Sequence, residues 1–203
     1  IGKLKTLYRH GLGIRYGRKM QTIAGIHYNL SFPSEFWQAW QVASQTSGEL
    51  QDFINEQYFG LIRNFQRHSY LLLYLLGASP AVCACFLLGR DHNLASLSAG
   101  TLYQPYATSL RMSRLGYQNT VQSDLQVSYN QLADYIHDLS HAIHTPYPPF
   151  AELGLKKDGV YQQMNTNVLQ IENEYYGLIR PKQTIQRGEK PTQALKSRGI
   201  EYI

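Results

Sequence analysis

His137, His141 and His144 form the most open metal-binding pattern in the sequence. At about 100° per residue they share one sector of a helix face, and two histidines at i and i+4 can chelate zinc. That face lies opposite the apolar stripe Leu132, Tyr135, Ile136, Leu139 and Ile143. It is therefore read as a solvated side, with nothing to exclude water or orient a ligand. His27 is a different case. It falls between Gly25 and Asn29 on the polar parity of an alternating segment. Polar groups lined up on a sheet face need water, a ligand or a metal to satisfy them. One neutral ring nitrogen could ligate a metal there, although no carboxylates cluster beside it. A satisfied structural histidine is the plainer reading of those residues alone.

Arg111 and Arg114 follow closely on Ser109, with Ser113 between them. Guanidinium forks and hydroxyls at this spacing could clamp a carboxylate or a phosphate; an ordinary surface loop is the alternative. Glu172 and Glu174 would share a face of a strand, where they could bind magnesium or make ion pairs with Arg180 and Lys182. Gly11, Gly13 and Gly17 punctuate a basic stretch. Neither a Gly-Lys-Ser/Thr run nor a third glycine in register follows, so no phosphate loop is read there. The sequence has 16 tyrosines. Basic residues with aromatics can bind single-stranded nucleic acid, but no matching strand pattern accompanies them, and they read as amphipathic core-edge residues.

The elements that must position these groups come from a chain of 203 residues, 43% hydrophobic and 16% charged, which is a globular composition. A net charge of +5 permits anionic ligands without choosing among them. Cys83 and Cys85 are too close for a usual zinc knuckle and read as two buried free thiols. Residues 22–32 alternate as a strand, with Ala24, Ile26, Tyr28, Leu30 and Phe32 toward a core. Residues 50–65 have helical spacing. The uncharged run 70–88 is long enough to span a membrane, but Gly77-Ala78-Ser79-Pro80 interrupts it. Ser79 as N-cap and Pro80 at the first helical position predict two buried helices joined by a turn. Ser128 and Gln131 predict a capping box for a helix over 128–145. Residues 146–162 read as loop, 168–171 as a short strand and 183–199 as a polar surface excursion. Strands and helices mix without βαβ alternation, so the expected class is α+β. The start without Met and an end in mid-run read as an excised segment.

Five blocks carry a resemblance. Arg15-Tyr16-Gly17-Arg18-Lys19-Met20-Gln21-Thr22-Ile23-Ala24-Gly25-Ile26-His27-Tyr28-Asn29 is the first. Gly77 to Ala81, Tyr106 to Ser113, Asn167 to Glu174 with Ile179 to Lys182, and Gly199 to Ile203 follow in order. Together they resemble the proteobacterial glutamate–cysteine ligase family across essentially the whole chain. That resemblance implies a glutamine-synthetase-like catalytic fold, an antiparallel sheet with helices packed on one side. It implies that residues 1–203 are one partial catalytic domain. It implies ATP-dependent joining of the γ-carboxyl of L-glutamate to the amine of L-cysteine through a γ-glutamyl phosphate, with Mg2+ or Mn2+ and ATP, in the cytoplasm. Small molecules are the expected partners; nucleic acid and membrane are not.

Carried over by position, the resemblance makes His27 a metal ligand and places Ile23 at the glutamate pocket. Arg111, with Ser109, would position the substrate carboxylate or the transferring phosphoryl. Tyr8, Leu12, Tyr117 and Tyr176 would form the cysteine pocket, and Arg180 would face the nucleotide phosphates. The family's acidic metal ligands fall mostly before Ile1, with one more Glu and an Arg after Ile203. The segment alone is therefore expected to be weakly active or inactive, a binding or assembly piece, and prone to self-association through open sheet edges.

Overall fold

The computed structural model describes residues 2–22, 26–77, 79–89, 91–110, 120–123 and 125–203. In chain order the helices are α1 (Gly2–Tyr16), α2 (Ser34–Ala43), α3 (Leu50–Leu76), α4 (Thr120–Ser123), α5 (Leu132–Ala142), α6 (Pro148–Glu152) and α7 (Pro191–Arg198). The strands are β1 (Ala81–Cys83), β2 (Ala95–Ser98), β3 (Thr101–Tyr103), β4 (Lys156–Lys157) and β5 (Val160–Tyr161). All named pairings are antiparallel, so the class is α+β, as the sequence predicts. The chain divides into two compact units. One holds Ile1–Gly25, His68–Asp124 and Pro148–Thr166; the other holds Ile26–Arg67, Leu125–Tyr147 and Asn167–Ile203.

The second unit carries the main core. Phe53, Ile54, Tyr58, Phe59 and Ile62 recur on one face of α3, and Tyr135, Leu139 and Ala142 face them from α5. Trp37, Leu169, Leu195, Ile200 and Ile203 close the cluster. A polar seam runs along α3 beside it. Asn55 Oδ1 accepts from the Ile200 amide at 2.8 Å, and Gln51 Nε2 donates to the Ile200 carbonyl at 3.2 Å. The Tyr58 hydroxyl donates to the Glu201 carbonyl at 3.1 Å and accepts from the Phe32 amide at 3.3 Å. Gln51, Asn55 and Tyr58 lie at i, i+4 and i+7, one helix face. Gly199 has φ +73° where it meets this seam, and a Cβ there would stand 2.6 Å from Asn55 Oδ1. Glycine alone fits.

The first unit holds the three-stranded sheet, order β1-β3-β2, and the β4-β5 hairpin. Asp158 and Gly159 take φ of 52° and 79° between β4 and β5. Two left-handed residues in a two-residue loop suit the twist of a hairpin.

Several expectations change. No strand forms over 26–32; Leu30 alone exchanges two backbone hydrogen bonds, both with Ile203. Leu30 and Phe32 pack on the core, but Ile26 is 98% exposed and Tyr28 83% exposed. Alternation sets which side chains share a face; it does not supply a neighbouring strand. The predicted break at Gly77 is real, but no helix starts at Ser79. Instead α3 runs unbroken to Leu76 and the chain enters β1, where Ser79 Oγ donates to the Ala81 carbonyl. The end of α3 is not buried either: Tyr70, Leu71, Tyr74, Leu75 and Leu76 are exposed. Cys83 and Cys85 are exposed and joined as a disulfide, not two buried free thiols. Helix α5 starts at Leu132; Ser128 Oγ instead accepts from the Asn130 amide in a local turn. The loop at 146–162 contains α6 and the hairpin, 168–171 forms no strand, and 183–199 contains α7, which buries Thr192, Ala194 and Leu195.

Tyr58→Phe should lower stability by about 1–3 kcal/mol, because the Glu201 carbonyl and the Phe32 amide each lose a partner in a part-buried seam. Tyr74→Phe, at a tyrosine 74% exposed, should be close to neutral. Equilibrium denaturation of both variants checks this; equal midpoints would remove the seam as a stabilising feature.

Candidate functional site

The candidate residues distribute over both units. In the first, Tyr8 and Leu12 are half-buried one turn apart on α1. Residues i and i+4 share a face, so the two can line one surface. Arg15 anchors the end of this helix. Its Nε donates to Gln163 Oε1 at 2.9 Å, its Nη2 donates to the Asn165 carbonyl at 2.6 Å, and its guanidinium lies 4.2 Å from the Phe150 ring centre. Gln163, fully buried, passes the constraint on by donating to the Phe150 and Gly154 carbonyls. Neutral dipoles and an aromatic face thus hold this cation.

Ser109 is half-buried in a bridge with Ser79. The Leu110 amide donates to the Ser79 carbonyl at 2.9 Å. Gly77 explains the closeness of these segments: a Cβ there would lie 2.6 Å from the Thr108 carbonyl oxygen. Ile23, Arg111 and Tyr117 lie outside the described residues, and so do Arg114 and Ser113.

In the second unit, Tyr176 and Arg180 flank a bend that follows a short 3-10 turn, Glu172–Glu174. Arg180 Nη1 donates to the Tyr175 carbonyl at 3.0 Å and Nη2 to the Glu172 carbonyl at 3.3 Å. The guanidinium is thereby fixed before any ligand arrives. It borders a cavity of about 210 Å³ with Tyr135, Lys182, Thr192, Leu195 and Tyr202. The Tyr135 hydroxyl faces the guanidinium without completing a hydrogen bond to it. Burial, then the Arg180 charge, holds the Lys182 ammonium below the usual lysine range. Nothing local in the sequence marks Tyr135 or Lys182 as lining a cavity. Tyr135 reads as part of an apolar stripe, and its hydroxyl was the one available signal.

Glu172 and Glu174 are buried, and neither is arranged to meet a metal. Glu172 Oε1 accepts from Thr192 Oγ1 at 2.5 Å and Oε2 from the Thr192 amide at 3.0 Å. Glu174 Oε2 accepts from the Gln170 amide at 2.7 Å. His27 is exposed on the segment before α2. His137, His141 and His144 are exposed too, as their face predicts, with the first two rings stacked at 6.3 Å. Among the described residues no three His, Cys, Asp or Glu side chains are grouped to hold a metal ion.

Glu172→Gln should lower stability by about 1–3 kcal/mol through loss of a charge-assisted acceptor pair, and by the same amount with or without magnesium. Paired denaturation curves in magnesium and in chelator check it. A loss that appears in magnesium alone would return Glu172 to the metal ligands.

Comparison with known proteins adds to this geometry. The family model described as glutamate–cysteine ligase matches residues 1–203. The chain is 59% identical over 208 residues to the glutamate–cysteine ligase of Alcanivorax borkumensis, covering all of this chain and 40% of that protein. It is 57% identical over 203 residues to the enzyme of the same name from Hahella chejuensis, covering 39% of it. The chain thus spans about 40% of the length of these curated relatives. The crystal structure of the Francisella tularensis glutamate–cysteine ligase in complex with AMP matches 99% of this chain at a TM-score of 0.88 and 40% identity, over 39% of its own length. A bifunctional glutathione synthetase from Pasteurella multocida matches 94% of the chain at a TM-score of 0.64 and 27% identity. The chain belongs to the glutamate–cysteine ligase family.

Proposed function

We propose that this chain is a segment of an enzyme that joins the γ-carboxyl of L-glutamate to the amine of L-cysteine with ATP, the first step of glutathione biosynthesis. The observation that carries the reading is the family match over residues 1–203, at 59% identity to a relative of that name. In the proposed reaction a γ-carboxylate oxygen of glutamate attacks the γ-phosphorus of ATP and ADP leaves. The cysteine amine then attacks the acyl carbon, loses its proton, and phosphate leaves.

The chain's residues have these proposed roles. Tyr8, Leu12, Tyr117 and Tyr176 form the cysteine pocket. The three tyrosine rings and the Leu12 side chain would exclude water around a small thiol side chain, and the tyrosine hydroxyls would fix its orientation. Ile23 lies at the glutamate pocket. Arg111, with Ser109, holds the glutamate carboxylate or the phosphoryl in transfer. Arg180 offers a positive charge to the nucleotide phosphates; its two carbonyl contacts support this role because they keep the guanidinium from reorganising.

Magnesium or manganese, when bound, would neutralise charge on the triphosphate. His27 is the candidate ligand of this chain. One histidine is not a cage, and among the described residues no group of three His, Cys, Asp or Glu side chains could hold the ion. We place the enzyme in the cytoplasm, with small molecules rather than nucleic acid or membrane as partners. No helix among the described residues is long and apolar enough to cross a membrane. The segment by itself is proposed to be weakly active or inactive, and to self-associate through the open edges of β1 and β2. The exposure of His27 favours this second reading, of a binding or assembly piece, for the segment alone.

ADP release from magnesium-ATP with glutamate tests the proposal, with and without cysteine, on this chain and on a version extended at both ends. Cysteine-dependent turnover is expected in the extended protein. Its absence there would sink the ligase reading.

A further inference from the structure

We propose that Tyr129 is a positioning residue for the segment bearing Tyr176 and Arg180, and that Gly177 is its required counterpart. The inference rests on the proposed function, in which those two side chains line the substrate site.

Tyr129 is held at both ends. Arg63 Nη1, from α3, donates to the Tyr129 carbonyl at 3.0 Å and to the Asn130 carbonyl at 2.9 Å. The Tyr129 ring lies 5.4 Å from the ring of Tyr135 and 6.5 Å from that of Phe59, both almost wholly buried. The hydroxyl is thus presented at a fixed point. There it lies 3.2 Å from the Tyr175 hydroxyl and donates to the Ile179 carbonyl at 3.2 Å. These partners bracket residues 176 to 178. The backbone between them presses against the same oxygen: a Cβ on Gly177 would stand 2.9 Å from the Tyr129 hydroxyl and 3.5 Å from the Tyr175 ring. One phenol therefore sets where the chain leaves Tyr175, how it passes Gly177 and where Ile179 precedes Arg180. Burial, then the neighbouring Tyr175 and Tyr135, pushes the phenol above its usual range, so it stays a donor at every working pH.

A hydroxyl with this geometry has a use beyond stability. Neighbouring groups on the chain set the direction of Tyr176, so a shift of this segment weakens the contact that Tyr176 offers to bound cysteine before any reaction begins. Substitution by phenylalanine leaves the ring packing and removes the two hydroxyl contacts.

The test uses steady-state kinetics of the full-length protein with Tyr129→Phe, Gly177→Ala, the double variant and Tyr176→Ala. Tyr129→Phe is expected to raise the KM for cysteine about 3- to 10-fold with kcat changed by less than about 2-fold, the pattern of lost ground-state positioning. Gly177→Ala should do the same by displacing the hydroxyl. The double variant should be no worse than Gly177→Ala alone, because the oxygen that the new methyl meets is gone. Cysteine KM unchanged in both single variants, with only the melting temperature lowered, would overturn the proposal as a purely structural contact. Multiplying fold-changes in the double variant would overturn the shared lock. Tyr176→Ala separates the two readings. If it leaves the cysteine KM unchanged, the site assignment itself has failed; if it raises KM while Tyr129→Phe does not, the lock has failed.

Discussion

The contact on which most of the second unit depends is between α3 and the backbone of residues 199–201. Gln51, Asn55 and Tyr58 satisfy amides and carbonyls that would otherwise be buried without partners. Desolvating such groups unpaired costs more than any single contact returns. The helix face therefore sets the register of the following chain, and Ile203 then exchanges two backbone bonds with Leu30. Apolar packing of Ile200 and Ile203 against Phe53 and Ile54 supplies the driving force on the same face. The requirement for glycine at 199 follows directly, because the backbone approaches two amide side chains with φ at +73°.

Two guanidinium groups, one in each unit, are held in a related way. Arg15 and Arg180 are fixed by carbonyls, an amide side chain and aromatic rings. The buried carboxylates Glu172 and Glu174 accept from Thr192 and the Gln170 amide. Contacts of this kind fix orientation without consuming the whole charge of a guanidinium. A charge oriented in advance reorganises little when an anion forms beside it, which is the physical requirement of phosphoryl and acyl transfer. By contrast, the paired Arg198 and Glu189 hold the turn before α7 at the surface, where such a pair is worth little.

Local pattern served well where periodicity and chemistry coincide. The stripe of α5 and the helical spacing from Leu50 are legible because each rests on contacts within a few residues. It failed where a partner from afar decides the outcome. The alternation through Ile26 and Tyr28 is genuine, yet among the described residues the only backbone pairing of this segment is that of Leu30 with Ile203, and no strand forms. The apolar run after Tyr70 reads as buried, yet it continues α3 with exposed leucines. Helix α7 reads as a polar excursion because its mean character is hydrophilic, while three of its residues are buried and Leu195 enters the core.

The sequence by itself determined the family, through five motif blocks in order, and the α+β class, through the mixture of periods. It also marked Glu172, Glu174, Arg180 and Lys182 as a dense polar group. Tertiary structure alone decided what that group does. Thr192, distant in the chain, occupies the Glu172 carboxylate and turns a possible metal ligand into a clamp. Likewise, Tyr129 meets Tyr175 and Ile179 only after folding. Side-chain type states which bonds a residue can make; which bonds it does make depends on the neighbours that burial brings to it.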